Sequence, residues 1–290
     1  MSNSGKGYVF VVSSAFLTGS IYTLGKVALA EISPALLIAW IFSIAAILLG
    51  IWSAASGQIG AILRCSGRDW INILLFSAFS IGALLTMWTG IQHLDPTVAA
   101  FISRLQTLVT VFLGVLFLKE RFRAVEAFGG LIMVGGVVVI RISFDVSLSY
   151  WFWIMVASGV LFGVTEIFAK QSVRNLHPIP LNFVRNSIIA VFFVVWVLLK
   201  NQSLFELGSV WPQVIAIGIG GPLFSRLCFL YAMRHIDVSK AVLVNQMQPV
   251  FVALIAFTTL GMIPSLREWI GGVLILAGCV ALIGGRKNQA

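Results

Sequence analysis

Charge is what this chain has least of. Asp, Glu, Lys and Arg make up 10% of its 290 residues, where a soluble domain carries roughly 25%. With 59% hydrophobic residues and a mean hydropathy of +1.02, such a chain could not cover its own surface against water. A soluble enzyme, a disordered protein and a nucleic-acid-binding module are excluded on that ground. Cysteine is scarce too: Cys65, Cys228 and Cys279 are scattered and form no CxxC pair, so neither a disulfide framework nor a zinc site is implied. The three histidines, His93, His177 and His235, form no HExxH motif. Acidic residues number 10 against 19 basic ones, a formal net charge of +9. In a soluble protein that excess would suggest a nucleic-acid partner. Here it follows membrane topology.

What is abundant is apolar length. A bilayer core of about 30 Å needs roughly 20 apolar residues per helix. Ten such stretches fit, near 8–28, 34–54, 69–91, 96–117, 124–142, 150–170, 178–199, 211–233, 238–260 and 267–285. The first is too long for a signal-peptide core and lacks an A-x-A site, so it reads as a true span. With the N-terminus in the cytoplasm, twelve basic residues fall in inside segments, among them Lys119, Arg121 and Arg123. Four fall outside: Lys26, Arg141, Lys200 and Arg267. That bias orients the bundle with both termini cytoplasmic, as a multi-pass protein of a bacterial inner membrane.

The chain also repeats itself. An offset of 142 lays His93-Leu94-Asp95 on His235-Ile236-Asp237 and continues without a gap to residue 140. Along it Gln106 meets Gln248, Gly129 meets Gly271 and Gly136 meets Gly278. An offset of 144 matches Ser14, Gly19 and Lys26 to Ser158, Gly163 and Lys170. The halves are therefore 1–145 and 146–290. Five helices per half is an odd number, so the halves must be inverted. Inverted repeats around a midplane site are a recurrent architecture of secondary transporters. The fold expected is an all-α membrane protein, ten transmembrane helices as two inverted five-helix repeats around a central cavity.

At this point the chain resembles the EamA domains of the drug/metabolite transporter superfamily. The likeness rests on Gly114 to Phe122 and Gly129 to Gly136, with partners at Leu260 to Pro264 and Gly271 to Gly278. It departs where Met262 stands opposite Glu120 and Trp40 near the place of Arg185. The resemblance implies export or import of amino acids, other metabolites, drugs or nucleotide sugars. It also implies a cavity lined mainly by the first, third and fourth helices of each half.

Polar residues inside spans are expensive and default to functional hypotheses. Arg104 lies eight residues into the fourth span, about 12 Å deep at 1.5 Å per residue. Ser103, Gln106, Thr107 and Thr110 accompany it on one face, and Asn245, Gln246, Gln248 and Pro249 lie at equivalent depth in the ninth span. These clusters are the candidate substrate site. Arg226 follows the Gly218–Pro222 break by one turn and either meets an anion or snorkels to the surface. Glu166 stands four residues before Lys170, which suits an i,i+4 pair. It could also hold a substrate ammonium or a coupling proton, with Tyr22 as its repeat counterpart and Arg185 as a possible neutralising partner. Trp88 and Tyr231 are read as bordering opposite mouths of the cavity.

The function expected is a secondary transporter of a small polar metabolite, an amino-acid-like or other small organic anion or zwitterion. An exporter of drugs or of cationic or aromatic compounds is the alternative. A channel or a membrane-embedded enzyme is more distant, since no histidine and no Asp lies mid-span. No cofactor is implied. The partners are the lipid bilayer and a small molecule, with monomer and homodimer both open.

Overall fold

A computed structural model describes residues 3–118, 124–142, 146–173, 176–235 and 244–284, and everything regular in them is helical. The first, second and third passes are Asn3–Ala28, Pro34–Ala55 and Gly67–His93, with a single turn at Gly60–Leu63 between the last two. The fourth is split into Pro96–Ser103 and Leu105–Leu118. The fifth to seventh are Ala124–Ile142, Val146–Val173 and Pro178–Leu199. The eighth joins Trp211–Gly218 to Arg226–His235 through a π-helical segment, Ile219–Ser225. The ninth contains Gln248–Leu260 and the tenth is Leu266–Gly284. Seven of these helices are long and apolar enough to cross a membrane, and Ala127–Ile142 and Gln248–Leu260 are shorter apolar helices. The chain is a multi-pass membrane protein. The basic loop Lys119–Arg123, the segment around Ile236–Lys240 and the C-terminal Arg286 and Lys287 lie outside the described residues.

Local chemistry starts the passes. Ser33, Asp95 and His177 each cap a helix whose first turn carries proline, which has no N–H to leave unsatisfied. Ser66 and Asp69 close a capping box at the start of the third pass. Large apolar side chains such as Leu131, Leu199 and Phe128 point outward, as a lipid solvent permits.

The packing obeys the repeat. The third pass lies on the sixth and the first on the eighth; the fourth lies on the sixth and the first on the ninth. Exchanging the halves turns each of these pairs into its neighbour. The second packs on the seventh, the fourth on the ninth and the fifth on the tenth, pairs that map onto themselves. The fifth and tenth passes approach backbone to backbone. A Cβ on Gly136 would meet Gly271 O at 2.6 Å, and one on Gly278 would meet Gly129 O at 2.6 Å. The crossed pairing requires the two helices to be antiparallel.

Candidate functional site

Two helices break at one place. In the fourth pass the regular ladder stops at Arg104, where i→i+3 bonds tighten the chain: Arg104 N donates to Phe101 O at 3.0 Å and Thr107 N to Arg104 O at 2.9 Å. In the ninth pass a turn at Gln246–Met247 precedes Gln248, with Met247 N donating to Val244 O at 3.0 Å. Pro249 accounts for the second break, since it has no N–H to continue the ladder. The fourth pass has no proline at its break.

Arg104 spans the two breaks. Its guanidinium donates to Gln248 Oε1 at 2.6 Å, to Ser103 Oγ at 3.2 Å and to Gln246 Oε1 at 3.4 Å. Gln246 Nε2 donates in turn to Thr107 Oγ1 at 3.3 Å. The arginine is 8% exposed, and every partner it has among the described residues is neutral. Amide and hydroxyl oxygens satisfy donors but supply no counter-charge, and a buried charge without one is costly. Donors are also in surplus: Arg104 Nε and Gln248 Nε2 are buried with no partner among the described residues. Asn245, just before the turn of the ninth pass, has its acceptor Oδ1 unpartnered among the described residues. An uncompensated cation with spare N–H groups beside it has the chemistry to hold an oxyanion.

A second cluster lies beside it. Arg226 pairs with Glu166 at 3.4 Å, and Gln106 Nε2 donates to the same carboxylate oxygen at 3.4 Å. The two ionic side chains keep 27% and 29% of their surface exposed, so the pair is not sealed inside the protein. Gln106 thus serves Glu166 and not Arg104.

The other expected residues fall in different places. Arg226, left open between an anion and the surface, meets the carboxylate of Glu166. Arg185 is not the partner of Glu166; it donates to Ser80 and Asn186 and lies over Phe76. The side chain of Lys170, proposed as an i,i+4 partner, lies outside the described part. Trp88 borders no mouth: it is 2% exposed and pressed on Gly25, whose missing side chain makes room for the indole. Tyr231 packs beside Ala45, Leu49 and Leu227, with Phe10 at 6.1 Å, as part of a hydrophobic cluster. Tyr22 is buried on the first pass and its hydroxyl reaches Met87 Sδ at 3.6 Å. The Gly218–Pro222 break is a widened π turn and not a simple kink.

The sequence profile of the EamA-like transporter family matches residues 5–142 and 149–284. The chain belongs to the EamA-like transporter family. Among curated relatives, the uncharacterized transporter YyaM of Bacillus subtilis is 23% identical over 290 residues, covering 96% of this chain and 93% of its own. The uncharacterized transporter sll1164 of Synechocystis is 21% identical over 243 residues, covering 77% of this chain and 68% of its own. A solved crystal structure superposes with a TM-score of 0.71 at 20% identity, covering 99% of both chains, a likeness of fold alone.

Sequence reading of this EamA-like chain missed one polar group, Arg185 with Ser80 and Asn186. The signal was present: Arg185-Asn186-Ser187, with Asn182 one turn before them, in a span whose remainder is apolar.

Proposed function

We propose that the chain is a secondary transporter that carries a small organic anion or an amino-acid-like zwitterion across a bacterial cytoplasmic membrane by alternating access. The observation that carries this reading is a buried Arg104 guanidinium held only by neutral oxygens at the meeting of two broken helices. A cargo carboxylate displaces Gln248 Oε1 from the guanidinium and supplies the missing charge. Because Gln246 and Gln248 stand on the ninth pass and Arg104 on the fourth, exchanging amide for cargo loosens one half from the other. The halves, taken as 1–145 and 146–290, then rock about the site, with both termini in the cytoplasm. In a zwitterion the ammonium goes to Glu166, which has surface free to receive it. The same carboxylate is the natural carrier of a coupling proton.

The test is a thermal-shift screen of purified protein against carboxylates, amino acids and organic cations. A ligand at a hundred times its Kd stabilises the native state by about 2.7 kcal/mol. Carboxylates and zwitterions should raise the melting temperature of wild type but not of Arg104→Ala. Shifts with organic cations alone, lost in Glu166→Gln, would replace this reading with cation export.

A further inference from the structure

The seventh pass carries a second buried guanidinium, away from Arg104. Arg185 is 9% exposed. Its Nε donates to Ser80 Oγ of the third pass at 3.1 Å and its Nη1 to Asn186 Oδ1 at 3.3 Å. Ser80 Oγ spends its own proton on Phe76 O at 2.6 Å, so it faces Arg185 as an acceptor. The guanidinium lies 4.8 Å from the Phe76 ring centroid and 5.7 Å from that of Phe42. No carboxylate of the described residues comes within ion-pair distance of it. Aromatic faces return only a small part of what an ion loses on leaving water. Glu166 is already engaged by Arg226. The charge is under-compensated.

An independent feature points the same way. Asn186 is wholly buried, and its Nδ2 has no partner among the described residues. The oxygen of that amide accepts from Arg185, so its nitrogen, on the same carbon, sits beside the guanidinium. A charged donor whose acceptors are all neutral and an orphaned neutral donor stand together.

Depth separates this place from the first site. Short connections make successive passes antiparallel, so the Pro178 end of the seventh and the Pro96 end of the fourth lie at opposite faces. Arg185 is seven residues from its end and Arg104 eight from its own. At 1.5 Å per residue these are about 10 and 12 Å from opposite surfaces of a core roughly 30 Å thick. We infer that Arg185 and Asn186, steadied by Ser80, Phe76 and Phe42, form a second anion station that takes the cargo's carboxylate in the opposite half of the membrane. This station rests on the transport reading: cargo leaving Arg104 meets Arg185 next, with the Glu166–Arg226 pair nearby.

Trifluoroacetate, a small carboxylate that stays ionised, is the probe, read by 19F line broadening on the full chain in lipid nanodiscs. Wild type should bind at two saturable stations. Arg104→Gln should remove one and Arg185→Gln the other, while the Arg104 station survives in the second variant and reports its fold. Asn186→Leu should weaken the Arg185 station by about tenfold. Where Arg185→Gln does not fold, Arg185→Lys replaces it; it keeps the charge but lacks the fork, and should also bind about tenfold more weakly there. Capacity and affinity unchanged in the folded Arg185 and Asn186 variants would make Arg185 a purely structural clamp and overturn the station. Loss confined to Arg104 variants does the same and leaves the transport reading standing. Two intact stations in a protein that moves no solute overturn the transport reading instead.

Discussion

Gly136 and Gly271 face each other across the fifth and tenth passes, each occupying the space where the other's side chain would be. A Cβ on either would lie 2.6 Å from the other's carbonyl oxygen, and on Gly136 it would also come within 2.9 Å of Ile275. Both obstacles are backbone or packed side chain, so neither yields easily. Gly136→Ala should lower stability by about 1–3 kcal/mol through overpacking. Gly60→Ala, where nothing lies within 4 Å, should do far less. Melting temperatures in one detergent check both.

Arg104→Ala should weaken binding of an anionic cargo by roughly ten- to a hundredfold, the loss of one charge-assisted contact. Lysine should restore only part, since it keeps the charge without the bidentate fork. Affinity and melting temperature measured together separate this from unfolding. An alanine variant that binds normally sinks the site.

Gln248→Glu turns the nearest neutral partner into a carboxylate. Its oxygen sits 2.6 Å from the guanidinium, so an internal ion pair would occupy the arginine. Anion binding should fall by about tenfold or more while the melting temperature holds or rises. Retained affinity would show that cargo does not need the face that Gln248 covers.

Glu31 in the loop after the first pass accepts from Ser209 Oγ at 2.6 Å and Ser209 N at 3.0 Å. These hydrogen bonds hold its carboxyl below the ordinary value of 4.5. A folded pKa below the unfolded one contributes stability above the unfolded value, and that contribution is lost as the pH falls through the folded one. The melting-temperature gap between wild type and Glu31→Gln should therefore be constant near neutrality and close as the pH drops below 4.5. A gap that persists in acid would show the clamp to be uncharged.

Residues 261–266 should lie outside the cell. Ser265 is a poor place for a probe, because its Oγ caps the tenth pass by accepting from Glu268 N at 3.4 Å. Ile263, 68% exposed, carries no such duty. An Ile263→Cys variant without native cysteines should react with an impermeant maleimide on intact cells. Reaction only after permeabilisation would reverse the orientation.

The passes were legible because a bilayer imposes a length, and length is written in the chain. The repeat was legible because one offset brings Gln106 to Gln248 and Gly129 to Gly271. The site was legible as a set of polar residues at one depth, but not in its pairings. Depth is a coordinate along a helix; sequence carries no lateral one. Arg185 and Arg226 stand at similar depth below the same surface, and only packing shows that the eighth pass, not the seventh, brings its arginine to Glu166. Likewise Trp88 near a helix end looks like a rim residue until Gly25 is seen beneath it. The break at Arg104 has no proline or glycine to announce it.

The π segment at Ile219–Ser225 has no twin: its repeat counterpart, the third pass, runs unbroken from Gly67 to His93. Were the two halves identical, swapping their shapes would convert the outward-facing molecule into the inward-facing one at no difference in free energy. A carrier of that kind would rest equally in both states. The widened turn stands in one copy only, so for a carrier that rocks as proposed above the two exchanged shapes would differ in free energy and the empty protein would favour one of them.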